Sequence, residues 1–335
     1  MDIINWVGRR LSVVIILVMI MGALVGRMES FLGDLGPMGA AFFGVLEAIG
    51  LLFMAIFLQS LPFLLLGALA SGVVGNLVES QRLFKFLPES PLGQIGWGAL
   101  SGLWLPVGET GTIPLARQFW QMGFPNRFTA ALLVAAPIVN PITIASLWAV
   151  FGFGTIIFGC VFIALVAALV TGLVVDKRTG SRSPQMPIGH ENITPDDGHT
   201  PRFQKAAVEV ADLFFETGQW LTLGALASAI IMVIFMPGRL LSGEHEGISW
   251  VMTSGVLGIL RSHEASSAPF ALIPMIGLLP KSAMISAIVL GSQISVKRII
   301  LLRSVFAGRE WLEMVLIPAS TSLVMVAGLV VFLHW

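Results

Sequence analysis

Charge is what this sequence has least of. Only 11% of its residues are Asp, Glu, Lys or Arg, while 56% are hydrophobic; a soluble domain carries about 25% charged residues. A soluble enzyme or scaffold is thereby excluded, and the chain reads as an all-α integral membrane protein. The few charges cancel to zero, so no basic field is present to hold nucleic acid. Cysteine is nearly absent. Cys160 stands alone inside the apolar stretch IIFGCVFIAL, and one cysteine makes neither an intrachain disulfide nor a thiolate metal cage. Histidine is sparse: His190, His199 and His245 fall in polar loops, His334 is penultimate, and only His263 has polar company inside apolar sequence. No metal-ligand spacing occurs, so neither a metal nor a cofactor is expected. The nucleotide loop GxxxxGK is missing, as are HExxH and GxSxG.

What is present is a series of apolar runs. A helix needs about 20 such residues to cross a bilayer. Candidates are 11–26, 39–59, 62–77, 128–151, 153–175, 219–236, 282–296 and 311–333, giving about eight transmembrane helices. The first follows Arg9 and Arg10 but leads to no small-x-small cleavage site, so it reads as a retained helix. Pro62 opens the third, where its missing N–H matters little. Residues 176–205 form the one long polar stretch and read as a flexible linker. The organisation is therefore N-terminal helices over 1–59, a first repeat over 60–175, the linker, and a second repeat over 206–335.

The repeats rest on two blocks in the same order. LLLGALASGVV, from Leu64, matches LTLGALASAII, from Leu221, and Gly67 aligns with Gly224. Further on, LPVGETGTIP, with Glu109, matches RSHEASSAP, with Glu264; each Glu lies five residues before a proline, Pro114 and Pro269, and sixteen before another, Pro125 and Pro280. Half-length apolar segments flank each break: 94–105 and 112–122, then 248–260 and 268–279. Each is about 18 Å long as helix, too short to span. Read as re-entrant hairpins, they collect most Lys and Arg on one side, with Arg117, Lys297 and Arg298 counted among these loop charges. Each half then has three spans and one hairpin, so the two repeats are inverted.

The breaks supply the chemistry. Gly108 and Gly111 let the backbone turn or approach closely, and Pro114, like Pro106, interrupts helical bonding. Glu109 offers a cation ligand, a proton carrier or a partner for Arg117, with the Thr110 and Thr112 hydroxyls beside it. At the second break, His263 and Glu264 form a pair suited to proton coupling, unless Glu264 only pairs with Arg261 across the turn. In APIVNP, Pro137 and Pro141 open a helix around Asn140; Ser295 stands as far after Glu264 as Asn140 does after Glu109. Glu216 is a gating candidate, and Gln59 and Glu47 are further polar residues in apolar surroundings. Each has a structural alternative, as an idle loop charge or a cap.

PVGETGTIPLARQFWQMGFP followed by AALLVAAPIVNPITIASLWAVFG, with QSLPFLLLGALASGVV upstream, resembles the core of the predicted-permease family of the YraQ/ArsP type, which includes organoarsenical efflux permeases. The resemblance implies an inner-membrane permease of about eight spans. Family members often carry two cysteines where this chain has Gly108 and Thr110, so thiolate capture of a metalloid is not available here. The expected function is a permease or secondary transporter, an exporter of a small solute or ion, with proton coupling and its site between the two hairpins. Its partners are the lipid bilayer and that solute, with a homo-oligomer left open. The alternatives are an intramembrane enzyme using Glu109, His263 and Glu264, or a membrane subunit that needs a soluble partner.

Overall fold

Apolar sequence in lipid must satisfy its own backbone, and helices do so locally. A computed structural model describes residues 36–179, 201–235, 247–306 and 310–333, and every regular element among them is a helix. The chain divides into two compact units, 1–55 and 56–335. The described part of the first is the N-terminal stretch of helix α1 (Gly36–Asn76), where Met38, Phe42 and Val45 are exposed.

The second unit continues with α2 (Ser80–Lys85), α3 (Pro91–Ser101), α4 (Gly108–Gln121), α5 (Asn126–Ala135), α6 (Pro141–Phe151) and α7 (Thr155–Thr179). After the polar stretch come α8 (Arg202–Phe235), α9 (Ile248–Arg261), α10 (Ala268–Ala271), α11 (Lys281–Gln293), α12 (Val296–Val305) and α13 (Glu310–Leu333). Five stretches among the described residues are long and apolar enough to cross a membrane: Met38–Asn76, Thr155–Arg178, Arg202–Phe235, Lys281–Val305 and Glu310–Val331. The protein is an all-α, multi-pass membrane protein.

Several expected boundaries change. The run 11–26 and most of the linker lie outside the described residues. The runs 39–59 and 62–77 are one helix, α1, with Pro62 inside it rather than at its start; apolar surroundings tolerate an internal proline where neighbours re-satisfy the freed carbonyl. The run 128–151 is split into α5 and α6 around Pro137, and 282–296 ends at a break over Ile294 and Ser295. Pro114 does not interrupt its helix but sits inside α4. The expected half-helix over 268–279 is only the four-residue α10 and a 3-10 turn at Ile273–Met275. Pro269, Pro274 and Pro280 leave too few N–H groups there for a longer helix.

The short helices occupy the centre. α4 is buried from Gly108 to Trp120, and at about 21 Å it is shorter than the ~30 Å hydrocarbon core. α3 packs on α5, and α9 on α11, with α7, α8 and α13 around them. In both central pairs a glycine makes the crossing possible. A Cβ on Gly98 would lie 2.2 Å from the Phe128 carbonyl oxygen, and one on Gly258 would lie 2.1 Å from that of Ala287. Small side chains such as Ala131, Ala135, Cys160, Ala164 and Ala167 fill the space between them, as close packing inside a bilayer requires.

Candidate functional site

The helix α4 begins without a cap of its own. Its N-cap residue is Val107, whose side chain accepts nothing, so the N–H groups of the first turn need an acceptor from elsewhere. Glu264 provides it from 155 residues away: its Oε2 accepts the Glu109 N–H at 3.0 Å. Its Oε1 accepts the Thr110 hydroxyl and the Lys297 ammonium at 2.8 Å. A carboxylate at a helix N-terminus is favoured by both the free N–H groups and the helix dipole.

Glu264 reaches this position from an irregular turn. α9 ends at Ser262, whose φ of 47° is the one positive value among the described residues other than glycine. Ser267 and Ala268 close the turn by donating backbone N–H bonds to the Glu264 carbonyl. Gln59, on α1, holds the turn from outside: its Oε1 accepts the Ser267 hydroxyl at 2.6 Å and lies 3.3 Å from His263 Nδ1.

The Glu109 side chain turns the other way. Its Oε1 accepts the Ser295 hydroxyl at 2.6 Å, and its Oε2 lies 4.0 Å from Lys297 Nζ with no hydrogen bond. Lys297 also donates to Ser60 Oγ at 3.0 Å. Glu109, Glu264 and Lys297 are 0% exposed, and Arg298 is 1% exposed. Arg298 Nη2 donates to the Leu133 carbonyl at 2.7 Å, while its Nε and Nη1 have no hydrogen-bond partner. Both cations stand in the first turn of α12, where the helix dipole opposes them. The two buried carboxylates supply the compensation, and the four formal charges sum to zero.

The glycines of the first break serve this geometry. Gly108 has φ +62°, a value that a side chain would strain. Gly111 lies against α1: a Cβ there would stand 2.1 Å from the Phe63 carbonyl oxygen, and one on Gly67 would stand 2.3 Å from that of Gly111. Both glycines of the break thus stand in close approach to α1.

Glu109, Thr110, Glu264 and Ser295 thus come together, while the other expected residues are placed elsewhere. Asn140 caps α6: its Oδ1 accepts the Thr143 N–H at 2.9 Å, and its amide donates to the Ala136 and Pro137 carbonyls. Ser295 caps α12 in the same way, accepting the Arg298 N–H at 3.1 Å. The matching positions share a capping role, but only Ser295 also reaches a carboxylate. His263 contacts Gln59 rather than either Glu. Pro137 lies in the turn before Asn140, Pro141 is the first residue of α6 and Pro269 lies in α10. Glu109 does not pair with Arg117, which instead bonds Glu216 at 3.1 Å, and Arg261 donates to the Ala271 carbonyl. Glu47 is exposed on α1.

Lys297 and Arg298 were expected in a loop and are instead at the centre of the site. Arg117 too is buried, inside α4. The signal was present: in QISVKRIILL the two cations are flanked by apolar residues on both sides, where charge is costly without a use. Ser60, next to Gln59, was also missed.

A cavity of about 30 Å³ lies beside the Glu264 turn, between α9, α10 and α11. Its polar lining is Arg261, His263, Ser254 and Ser292, and no Asp or Glu lines it. Arg261 Nε is buried there without a hydrogen-bond partner. Among the described residues no group of three or more His, Cys, Asp or Glu could hold a metal ion.

Two relatives resemble the chain over most of both lengths. One, from Streptococcus mutans, is 24% identical over 273 residues, covering 79% of this chain and 89% of its own; its name makes it a proposed subunit of a two-component membrane permease complex. The other, UPF0718 protein YcgR of Bacillus subtilis, is 25% identical over 269 residues, covering 77% of this chain and 88% of its own. No solved structure matches the chain. The sequence model of one family, described as predicted permease, matches residues 45–332. With its buried carboxylates and half-length helices, the chain belongs to the predicted permease family.

Proposed function

We propose that this protein is a secondary transporter that exports a small solute or ion across the inner membrane, with its transport site at the Glu109–Glu264–Lys297 cluster. One observation carries this reading: a carboxylate from each half of the chain is buried at one point, clasped by one buried lysine. Charge at membrane depth is costly, and where it occurs it marks ion and substrate paths. The short helices around the cluster bring helix ends and breaks to the same place, which is how transporters of repeated architecture build midplane sites. The two halves act as inverted repeats that move against each other about this point. A proton on either carboxylate weakens its hold on Lys297, and this is the coupling step. Membership of a permease family supports transport over catalysis. The name of the Streptococcus mutans relative supports a second subunit as a working partner.

Purified protein in liposomes under an imposed pH gradient, tested with a panel of labelled small ions, examines this directly. Glu109→Gln and Glu264→Gln are each expected to reduce gradient-driven flux at least tenfold while the protein remains monodisperse. Full flux in both variants at every pH would remove the cluster from the transport path.

A further inference from the structure

The partners of Glu264 define more than an ion pair. Its carboxylate is held by a backbone N–H at the start of a 14-residue helix, a threonine hydroxyl and a lysine ammonium. All of these are donors, and none needs the acceptor to be part of the protein. Such a set of donors would hold any small anion in the same position.

Three further observations bear on whether the carboxylate can be replaced. First, Glu264 is carried by a turn and not by a helix, beyond a serine in the left-handed region. Its donors, by contrast, stand on α4 and α12. The carboxylate is thus the part of the cluster on irregular backbone. Second, the cavity beside that turn has Arg261 and His263 in its lining and no acidic residue. Arg261 Nε there is a buried donor without a partner, which suits an anion and not a cation. Third, Arg298 keeps two buried donor positions unused, beside Lys297 in the first turn of α12. Glu109 is the one group of the opposite sign. Its Oε1 is occupied by Ser295, and its charge faces Lys297 at 4.0 Å. If Glu264 withdraws, two cations and one carboxylate remain, and the site carries a net positive charge.

We infer that the Glu264 carboxylate is a tethered occupant of an anion site formed by the start of α4, Thr110 and Lys297, and that the transported solute is a small anion that takes its place. This rests on the reading of the cluster as a transport site and adds the class of solute. The turn bearing Glu264 leaves, the anion binds the vacated donors, and the returning carboxylate displaces it. Solute and side chain are competitors, so removing the side chain strengthens solute binding.

The test uses full-length protein in detergent and formate, the smallest carboxylate, as probe. Formate binding is measured by calorimetry and by the shift in unfolding temperature for the wild type, Glu264→Ala and Glu264→Gln. The alanine variant vacates the site. The glutamine variant keeps the shape and serves if the alanine variant does not fold. Formate is expected to bind either variant at least tenfold more tightly than the wild type, with chloride competing. Adding Thr110→Val is expected to weaken that binding again. Equal binding by variant and wild type, no binding by either variant, or stabilisation by ammonium and sodium in place of formate would each overturn the inference. The flux assay separates the two levels. Cation flux that is lost in Glu109→Gln would overturn the anion site and keep the transporter. Formate binding by the variants with no flux of any ion would support the anion site and overturn the transporter.

Discussion

Lys297 touches both carboxylates and the Ser60 hydroxyl, and no water-exposed atom of it remains. Removing one partner of a buried ion pair leaves the other charge uncompensated, at a cost of about 3–5 kcal/mol. Lys297→Met is therefore expected to lower unfolding stability by roughly that amount. Adding Glu264→Gln to it should recover part of the loss, because the second substitution removes the stranded charge. Thermal unfolding of the four proteins in one detergent measures the cycle; strictly additive effects would mean that the two side chains do not interact. The carboxylates were legible in the sequence because each sits alone in a polar break inside apolar runs. Ser295 was legible through its matching distance from Glu264. Lys297 and Arg298 were not, because a Lys-Arg pair near the end of an apolar run has the same composition as a cytoplasmic loop. Only the position of Glu109 and Glu264 in space tells the two cases apart.

At the scale of elements, the crossings α3 on α5 and α9 on α11 depend on glycine. Gly98→Ala would put a Cβ 2.2 Å from the backbone oxygen of Phe128, so the two helices must separate, at about 1–3 kcal/mol. Gly96, on the same helix, has nothing within 4 Å of an added Cβ. Gly96→Ala should be neutral or stabilising by up to ~1 kcal/mol. Unfolding temperatures of the pair decide this, and equal effects would mean that the Gly98 crossing has room for a methyl group. The helix break at Asn140 could be read from sequence, since Pro137 and Pro141 are explicit; the break at Ser295 could not, because no proline marks it. The extent of the second hairpin could not be read that way. Its apolar composition matches a half-helix, but three prolines within twelve residues, 269–280, remove the backbone donors a helix of that length needs.

At the scale of the molecule, the count of loop charges loses weight. Arg117, Lys297 and Arg298 are interior residues, so the side bias that favoured inverted hairpins rests on fewer positions. Asn140 and Ser295, the matched positions, each cap the helix that follows. The mutual completion of the halves also has a consequence for how the protein is made. Glu264 leaves the ribosome 155 residues after Glu109, about 8–30 s later at ordinary rates of synthesis. Through that interval the first half holds an uncapped α4 and a carboxylate without its lysine. A fragment ending at residue 180 is expected to be degraded when expressed alone and to accumulate when residues 201–335 are supplied as a separate chain. Immunoblots of membranes from the two strains would show this, and equal amounts of fragment in both would mean that the first half assembles unaided. Biogenesis is then a meeting of two nascent half-proteins: the first brings helix donors and Glu109, the second the carboxylate and the lysine that complete them.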